Sequence, residues 1–375
     1  MRKLNGVNNE RQRNNCNLTF NMNENLMDHK TPNTSLYNIP FTASSFNGMP
    51  FRSLGKSGLS VSNMGLGAWK FGYPHTGDGS RVDEETAFDI FDRAIDLGVV
   101  FWDTANRYNN ASGNSERIIG KWFTQNPSQR RNVVLATKMY GCMDGLTPNH
   151  CGLSRGNILD SVYASLDRLD TDHIDLLYFH SFDAKVNIEE SLVAIEDLVR
   201  QDCIRYFGVS NFSVGNLEAF NQAQSGMSVR NKIVAVQNKY DLLSGEAEDY
   251  KGVLEYASQK DVSFIAWSPL AKGLLTERYL DISKVGSGDR LFDEKILEEI
   301  RNESHIRLLQ TLAKLALQSG CTISQLVLAY MLGMPGMGPV IPSSSSVAQL
   351  ESNAAAAKLV LSEEQKETIR EIVKI

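Results

Sequence analysis

Residues 174–210 read IDLLYFHSFDAKVNIEESLVAIEDLVRQDCIRYFGVS, and their pattern of apolar residues indicates the fold class. Two nearly continuous apolar runs, Ile174 to His180 and Ile204 to Ser210, are typical of buried strands of a parallel sheet. Between them, Ile188 to Arg200 carries apolar residues at three- and four-residue spacing, which predicts an amphipathic helix. The stretch therefore predicts one strand–helix–strand unit with parallel strands.

The same alternation continues on both sides of this unit. The strand candidates, in chain order, are Met64 to Trp69, Val99 to Thr104, Val133 to Lys138, Ile174 to His180, Ile204 to Ser210, Ile233 to Gln237, Val262 to Ser268 and Pro339 to Pro342. Further amphipathic stretches between them are Glu84 to Leu97, Ser154 to Leu169, Val214 to Gln224 and Tyr250 to Gln259. Eight strand–helix units in series predict an α/β fold, a closed (β/α)8 TIM barrel, whereas a doubly wound sheet usually has fewer strands.

Three segments lie outside these eight units. Phe51 to Asn63 alternates apolar and polar residues around two glycines, which predicts an N-terminal β-hairpin. A long loop, Ala271 to Asn302, follows strand seven, and an extra C-terminal helix is predicted from Ser362 to Val373. The predicted barrel therefore carries a hairpin, one long loop and a final helix as additions.

The first 48 residues differ from the rest in composition. They are rich in asparagine, with scattered charges and no apolar periodicity, which predicts a disordered extension over residues 1–48 followed by one barrel domain over residues 49–375. A passive extension is the favoured interpretation. A transit peptide containing Arg2, Arg11 and Arg13, or a docking tail, remains an alternative.

The composition excludes several classes of protein. The 375 residues carry a net charge of −6 with acidic and basic residues mixed, so we expect no nucleic-acid partner. No run approaches eighteen apolar residues and no apolar core of a secretory signal is present, so neither a membrane span nor export is expected. The five cysteines are too sparse for a disulfide framework, which favours a reducing, cytoplasmic setting.

Polar side chains stand at the carboxyl ends of three neighbouring predicted strands, where the active site of such a barrel lies. Asp103 is near the end of strand two and is followed by Tyr108, whereas Lys138 and His180 end strands three and four. An ammonium beside a tyrosine lowers the pKa of the phenol, and a carboxylate keeps the ammonium charged and oriented. Since a histidine can donate a hydrogen bond to a carbonyl oxygen, the four residues together predict acid–base chemistry on a carbonyl.

A phosphate site is predicted after strand eight. Ser343 to Ser346 precede a helix predicted from Val347 to Ala357, and the N-terminus of a helix suits a phosphate, although a plain serine N-cap is the alternative interpretation. Gly65 to Lys70 lacks the third glycine of a dinucleotide fingerprint. Trp267 offers a ring for stacking, or else belongs to the core. Cys142, His150 and Cys151 lack paired-ligand spacing, so no metal site is predicted.

From Phe51 to Val373 the chain resembles the aldo-keto reductases. The motifs that carry the resemblance are Leu54-Gly55-Lys56-Ser57-Gly58-Leu59, Gly65-Leu66-Gly67, Asp103-Thr104-Ala105-Asn106-Arg107-Tyr108, Gly152-Leu153-Ser154-Arg155, Gly208-Val209-Ser210-Asn211-Phe212 and Trp267-Ser268-Pro269-Leu270. The long segment after strand seven resembles the branch that contains aryl-alcohol-type reductases and potassium-channel β subunits.

The resemblance implies reduction of a small carbonyl substrate by NADPH. It implies that Tyr108 is the proton donor, that Lys138 and Asp103 tune it, and that His180 positions the carbonyl. The cofactor residues that it implies are Trp69 and Asp103 near the nicotinamide, Ser210, Asn211 and Gln237 on its carboxamide or face, Trp267 stacking on it, Ser268, Leu270 and Gly273 along the pyrophosphate, and Arg278, Ser345, Gln349 and Asn353 at the adenosine end.

The sequence departs from the family pattern at three positions that matter for these expectations, one of which is Ser343, where relatives have glycine or lysine. Asn109 replaces the glycine that usually follows the catalytic tyrosine, and Gln349 stands where many relatives have an arginine for the 2′-phosphate. We expect NADPH rather than NADH from the family and from Arg278. His180 stands where channel β subunits have an asparagine, which favours a working reductase. A nucleotide-sensing regulatory subunit, and a barrel hydrolase using the Asp103 carboxylate, are the alternatives.

Overall fold

The computed structural model describes residues 44–227 and 231–373. From Ser44 onward the chain forms one compact unit. Most of the predicted extension, residues 1–43, lies outside the described residues, and the hypotheses about its role stay predictions. Regular structure begins before the predicted boundary at residue 48, because Ser45 and Phe46 pair with Pro50 and Met49.

Strands and helices alternate along the described residues, as the sequence predicts. The strands are β1 Ser45–Phe46, β2 Met49–Ser53, β3 Ser60–Ser62, β4 Gly65–Gly67, β5 Phe101–Asp103, β6 Val134–Met139, β7 Ile174–Phe179, β8 Ile204–Ser210, β9 Ile233–Asp241, β10 Gly245–Glu246, β11 Ser263–Trp267 and β12 Met337–Ile341. The helices are α1 Glu84–Asp96, α2 Tyr108–Ala111, α3 Asn114–Gln125, α4 Arg155–Leu169, α5 Ile188–Arg200, α6 Val214–Gly226, α7 Val253–Gln259, α8 Arg290–Asp293, α9 Leu297–Ile300, α10 Glu303–Gln318, α11 Ile323–Leu332, α12 Val347–Ala356 and α13 Glu363–Val373.

Eight parallel strands form the predicted barrel. They are hydrogen-bonded in the order β4, β5, β6, β7, β8, β9, β11 and β12. Isolated parallel bridges from Met64 to Val340 and from Gly67 to Ser343 join the last strand to the first and close the ring. The (β/α)8 TIM barrel is therefore confirmed, and all eight predicted strands are present, β8 with the predicted ends and the others with one or both ends shifted by a few residues.

Alternate residues of each strand point into the barrel. Ala136 of β6 and Leu176 of β7 belong to the inner core, whereas Leu135 and Leu177 belong to the outer core beneath the helices. The two-residue period of a strand therefore directs Lys138, two residues beyond Ala136, into the barrel as well. The same phase applies at the other strand ends and explains why polar groups meet at one end of an otherwise apolar interior.

The N-terminal hairpin covers the opposite end of the barrel. Strands β2 and β3 are antiparallel, as predicted, and β1 adds a third strand to their sheet. Leu54 and Val61 pack into the inner core. Gly55 has a φ of +54°, and a Cβ there would lie 2.2 Å from the Asp261 carbonyl oxygen, so the turn requires glycine. The hairpin closes the barrel floor and leaves the strand ends with the polar residues as the open side.

The segment after β11 contains only short helices before α10 begins at Glu303. It is the long loop that the sequence predicts. Among the described residues, no single helix is long and apolar enough to cross a membrane; α10 and α11 meet that criterion only as a pair, and they are bent at 88° to each other. Helix α13 confirms the predicted C-terminal addition.

Candidate active site

Four predicted residues meet at the open end of the barrel. The Lys138 Nζ lies 2.5 Å from the Asp103 Oδ1 and 2.6 Å from the Tyr108 Oη. The ring centroids of Tyr108 and His180 are 6.1 Å apart in an edge-to-face arrangement. The structure therefore brings together the carboxylate, ammonium, phenol and imidazole that the sequence places on three strand ends.

The Lys138 ammonium uses all three of its protons. It donates to Asp103, to Tyr108 and to the Thr104 carbonyl oxygen, at 2.9 Å for the last. The lysine is 1% exposed and Asp103 is 3% exposed. Because a buried charge is costly unless it is paired and hydrogen-bonded, this geometry fixes the ammonium against the phenol oxygen.

The other oxygen of Asp103 is also held. The Gln237 Nε2 donates to the Asp103 Oδ2 at 2.8 Å. Gln237, which is expected to contact the nicotinamide, thus orients the Asp103 carboxylate, and Asp103 in turn orients Lys138. With the Tyr108 hydroxyl, which donates to Oδ1 at 3.3 Å, the carboxylate accepts from three side chains, which gives no support to the hydrolase hypothesis that uses Asp103 as a catalytic group.

The pKa values keep Tyr108 protonated and His180 neutral. Burial, and then the negative charge of Asp103, raise the pKa of the Tyr108 phenol well above its usual value. The net direction is opposite to the expectation that Lys138 lowers it, because the sequence could not show how deeply the phenol is buried. Burial, and then the charges of Lys138 and Arg107, lower the pKa of His180 to about 3. Burial also lowers the pKa of Lys138, against the opposing effect of Asp103.

The turn after Tyr108 shows why asparagine replaces glycine there. Asn109 has a φ of +55°, in the left-handed region that glycine adopts without strain and that asparagine tolerates better than other residues. Its Nδ2 donates to the Phe71 carbonyl oxygen at 2.6 Å. The substitution therefore keeps the backbone conformation that a glycine would give and ties the tyrosine turn to the loop after β4.

The residues predicted on the nicotinamide side lie together beside the tyrosine group. Ser210 of β8 pairs in register with Gln237 of β9. The Asn211 Nδ2 donates to the His180 carbonyl oxygen at 2.9 Å, and its Oδ1 accepts from the Trp267 Nε1 at 3.3 Å. Hydroxyl, amide and indole groups from three neighbouring strand ends therefore line one side of the mouth.

Trp69 connects this mouth to the long loop. The Arg290 guanidinium lies 4.5 Å from the centre of the Trp69 ring, and the Lys70 ammonium lies 4.2 Å from it. Arg81, on the same loop as Trp69, forms an ion pair with Asp293 at 2.5 Å. The segment after β11 is therefore fastened to the loop after β4, although β12 lies between these two strands in the barrel.

The three residues predicted along a pyrophosphate form a tight turn after β11. Ser268 has a φ of +59° and Gly273 a φ of +101°. The Gly273 amide donates to the Leu270 carbonyl oxygen at 2.8 Å, and the Lys272 amide donates to the Ser268 Oγ at 3.2 Å. These contacts hold the turn in one conformation at the rim of the barrel.

The residues predicted at the adenosine end are engaged with the protein itself. Arg278 forms a two-pronged ion pair with Asp289, at 2.8 and 2.9 Å. The Ser345 amide and hydroxyl both donate to the Gln349 Oε1, at 2.8 and 3.0 Å. The Asn353 Nδ2 donates to the Ser344 Oγ. The serine turn does precede helix α12, as predicted, and Ser346 is its N-cap.

The sequence interpretation missed a disulfide between Cys142 and Cys151. The prediction that the cysteines form no framework is corrected to this extent. The Gly152 amide donates to the Tyr140 carbonyl oxygen at 2.7 Å, which folds the loop after β6 back on itself and brings the two Cα atoms to 4.5 Å. The bond closes the base of a loop that starts directly beyond Lys138 and Met139.

A second feature without a predicted role is the buried carboxylate of Glu116. It accepts hydrogen bonds from the Thr137 Oγ1 at 2.6 Å and from the Arg168 Nε at 2.7 Å. Thr137 precedes Lys138 on β6 and faces outward, so Glu116 braces the strand that carries the lysine. The Ser115-Glu116 pair at the start of α3 is a visible sequence feature, but nothing local shows which strand it contacts.

Comparisons with known proteins agree with this geometry. Residues 63–374 match the model of the aldo/keto reductase family. The chain is 36% identical over 323 residues to the uncharacterized oxidoreductase YrpG of Bacillus subtilis, covering 84% of this chain and 93% of that protein. It is 32% identical over 343 residues to the aldo-keto reductase AMT2 of Alternaria alternata, covering 86% and 90%.

A relative with a different description is similar over the same region. The chain is 30% identical over 316 residues to a probable voltage-gated potassium channel subunit beta of Arabidopsis thaliana, covering 83% of this chain and 92% of that protein. The family match and the oxidoreductase relatives support carbonyl reduction in general. With the barrel and the polar group at its open end, they establish that the chain belongs to the aldo/keto reductase family.

Proposed function

We propose that this protein reduces aldehydes or ketones to alcohols, with NADPH as the hydride source and Tyr108 as the proton donor. The observation that carries the proposal is the contact of 2.6 Å between the Lys138 ammonium and the Tyr108 phenol oxygen, with Asp103 on the same ammonium. A phenol in that position can lose its proton to a strong base and leave a phenolate beside a fixed positive charge.

The residues present fit the bound cofactor that the proposal requires. Ser210, Asn211 and Trp267 offer hydroxyl, amide and indole groups beside the tyrosine, which suits a nicotinamide and its carboxamide. The serine turn at the N-terminus of α12 suits a phosphate. When bound, NADPH supplies the hydride that reduces the carbonyl carbon. We propose NADPH rather than NADH because of the family; Arg278, at the expected adenosine end, would have to leave Asp289 to bind a 2′-phosphate.

The substrate oxygen is proposed to bind between the Tyr108 phenol and the His180 ring. His180 is neutral at physiological pH, since the pKa of its imidazole is lowered to about 3, so it offers one N–H as a hydrogen-bond donor. When a hydride adds to the carbonyl carbon, negative charge develops on the carbonyl oxygen, and Tyr108 transfers its proton to that oxygen. Lys138 stabilises the phenolate that remains, and solvent restores the proton after the alcohol leaves.

A cofactor titration tests this proposal. Tryptophan fluorescence is measured while NADPH, and separately NADH, is added to the protein, because Trp267 and Trp69 lie at the expected nicotinamide end. NADPH consumption on addition of an aromatic aldehyde is then measured. Quenching by NADPH together with aldehyde-dependent consumption supports the proposal. Absence of any response to either nucleotide contradicts it.

A nucleotide-sensing regulatory subunit is the second candidate function. The similarity to a probable potassium channel subunit beta favours it. His180, which stands where such subunits have an asparagine, favours a working reductase instead. A stable complex with a membrane channel that is lost on deletion of residues 1–43 would support the regulatory function. Rapid turnover of small aldehydes by the isolated protein would support the enzyme.

A further inference from the structure

Arg107 is a cation at the mouth of the site that the proposed proton transfer does not use. It directly precedes Tyr108 and its side chain is exposed. The side chain lies across the start of the loop after β6, because a Cβ added at Gly141 would come within 2.5 Å of the Arg107 Cδ and Nη1. The guanidinium thus extends from the end of β5 over the end of β6.

The charge of Arg107 acts on the place where the substrate is proposed to bind. With Lys138, it is one of two cations whose charge lowers the pKa of His180. The carbonyl oxygen is proposed to lie between His180 and Tyr108. A group attached to the carbonyl carbon therefore extends outward, toward the mouth that Arg107 borders.

Arg107 has no anionic partner within residues 44–227 and 231–373. The described residues contain no ion pair of its guanidinium and no hydrogen bond that it donates. The carboxylates of the neighbouring loops are already used by other groups: Asp183 accepts from the Leu153 and Lys185 amides, and Asp144 accepts from the Leu146 amide and from His150. The guanidinium is therefore available to an anion from outside the protein.

We propose that Arg107 binds a carboxylate of the substrate, so that the preferred substrates are aldehydes or ketones that also carry a carboxylate. The inference rests on the proposed reductase function and names its substrate class. A guanidinium presents two parallel N–H groups that match the two oxygens of a carboxylate, which a neutral ester cannot match as well. Arg107 acts on binding and orientation, whereas the proton still comes from Tyr108.

Paired substrates and paired variants test the proposal. The substrates are 4-formylbenzoate with its methyl ester, and 4-oxobutanoate with its methyl ester, so that the carboxylate is offered at two distances. The variants are Arg107→Gln and a control, Arg117→Gln, which removes an exposed arginine of helix α3 on the outside of the barrel. For each protein, kcat/KM is measured with all four compounds.

The parent protein should prefer the acid over the ester in at least one pair. Arg107→Gln should reduce that preference about 10- to 100-fold, as expected for a lost charge-assisted hydrogen bond, mainly by lowering kcat/KM for the acid. The kcat/KM values for the esters should stay within about threefold of those of the parent. Arg117→Gln should leave kcat/KM unchanged for both the acids and the esters. The proposal is overturned if the parent shows no preference for either acid, or if the preference survives in Arg107→Gln.

A binding measurement separates this inference from the proposed function. Calorimetric titration of the same acids and esters, with NADP⁺ present and absent, requires no turnover. Tighter binding of an acid that depends on Arg107, without any reduction, would leave the carboxylate site standing and contradict the reductase. Reduction of all four compounds with equal efficiency by the parent and Arg107→Gln would leave the reductase standing and contradict the carboxylate site.

Discussion

Two buried carboxylate–cation pairs lie at opposite ends of the barrel. At the open end, Asp103 holds the Lys138 ammonium at 2.5 Å. At the closed end, near the start of β7, Asp175 holds the Arg130 guanidinium at 2.9 Å. Both carboxylates are buried, and each accepts a further hydrogen bond, from Gln237 at the open end and from the Leu135 amide at the closed end. Both pairs place a cation on a buried carboxylate, but Asp175 also lies 3.4 Å from the Arg205 guanidinium, whereas Lys138 is the one cation paired with Asp103 among the described residues.

They differ in what the cation holds. The other hydrogen bonds of Arg130 go to the Val133 and His173 carbonyl oxygens and to the Thr171 hydroxyl, so its guanidinium fastens turns of the chain. Lys138 instead donates to a phenol at the mouth of the site. A buried ion pair is thus not by itself the mark of an active site. The functional difference lies in whether the cation contacts a group that can release a proton to a ligand.

The largest difference is expected on removal of each cation. Lys138→Met leaves the buried Asp103 carboxylate without a cation, so it should lower the free energy of unfolding by about 3–5 kcal/mol. Arg130→Met should lower it by less, because Arg205 still lies 3.4 Å from Asp175. Only Lys138→Met should also reduce kcat, by about 10²- to 10⁴-fold. Chemical denaturation and turnover per folded molecule are the measurements. Equal loss of kcat in the two variants would remove the distinction between the pairs.

Acid should weaken the closed-end pair in a defined pH range. Burial raises the pKa of Asp175. Hydrogen bonding from His173, the charge of Arg130 and the Leu135 amide lower it by more, so the pKa of Asp175 lies below its usual value. A lowered pKa contributes stability above the unfolded value of about 4, and this is lost as the pH falls through the folded value.

Asp175→Asn tests this contribution against the parent. The difference in unfolding free energy between the two proteins should be about 3–5 kcal/mol at neutral pH and should shrink as the pH falls below about 4. Denaturant titrations at a series of pH values measure it. A difference that stays constant down to the lowest pH at which both proteins fold would show that the carboxylate charge of Asp175 contributes nothing.

The disulfide near the open end should contribute less. Opening a short loop of this kind by Cys142→Ser should lower the free energy of unfolding by about 2–3 kcal/mol, and reductant should have the same effect on the parent. Cys321→Ser, which replaces a free thiol before α11, is the matched control. If the protein works in the reducing, cytoplasmic setting that the sparse cysteines favour, the reduced form must also fold. Insensitivity of the parent to reductant would show that Cys142 and Cys151 are unpaired in solution.

The smallest expected effect concerns the pH profile of kcat/KM, in which the protonation of His180 should leave no trace. With its pKa lowered to about 3, His180 stays neutral from about pH 5 to 8, so kcat/KM should show no inflection near the ordinary histidine value of about 6.5. A pH profile of the parent measures this. An inflection near 6.5 that disappears in His180→Gln would mean that the ring is charged in part of this range.

The sequence was sufficient for the barrel and for which residues meet at its open end. Apolar runs marked the strands, and the two-residue period along β6 and β7 carries Lys138 and His180 to the inside. The sequence pattern does not show how closely residues on different strands and loops approach each other. The direction of the Tyr108 pKa depends on burial and on Asp103 across a neighbouring turn. The Cys142–Cys151 bond depends on the hydrogen bond that folds its loop back.

The adenosine end illustrates the same limit. The resemblance predicts Arg278 as a cation at the adenosine end, but its pairing with Asp289 depends on the path of the long loop between them. Gln349 stands where many relatives have an arginine, and its side chain accepts the hydrogen bond of the Ser345 amide instead. Residue type predicted the chemistry available at these positions, and the loop conformation determines which partner each side chain contacts.

Tyr108→Phe separates proton donation from cofactor binding, because it removes one hydroxyl and keeps the ring beside His180. Affinity for NADPH, measured by tryptophan fluorescence, should stay within about twofold, while the rate of aldehyde reduction with saturating NADPH should fall about 10²- to 10⁴-fold. That result would identify Tyr108 as the proton donor. Unchanged turnover in Tyr108→Phe would show that the proton comes from another group.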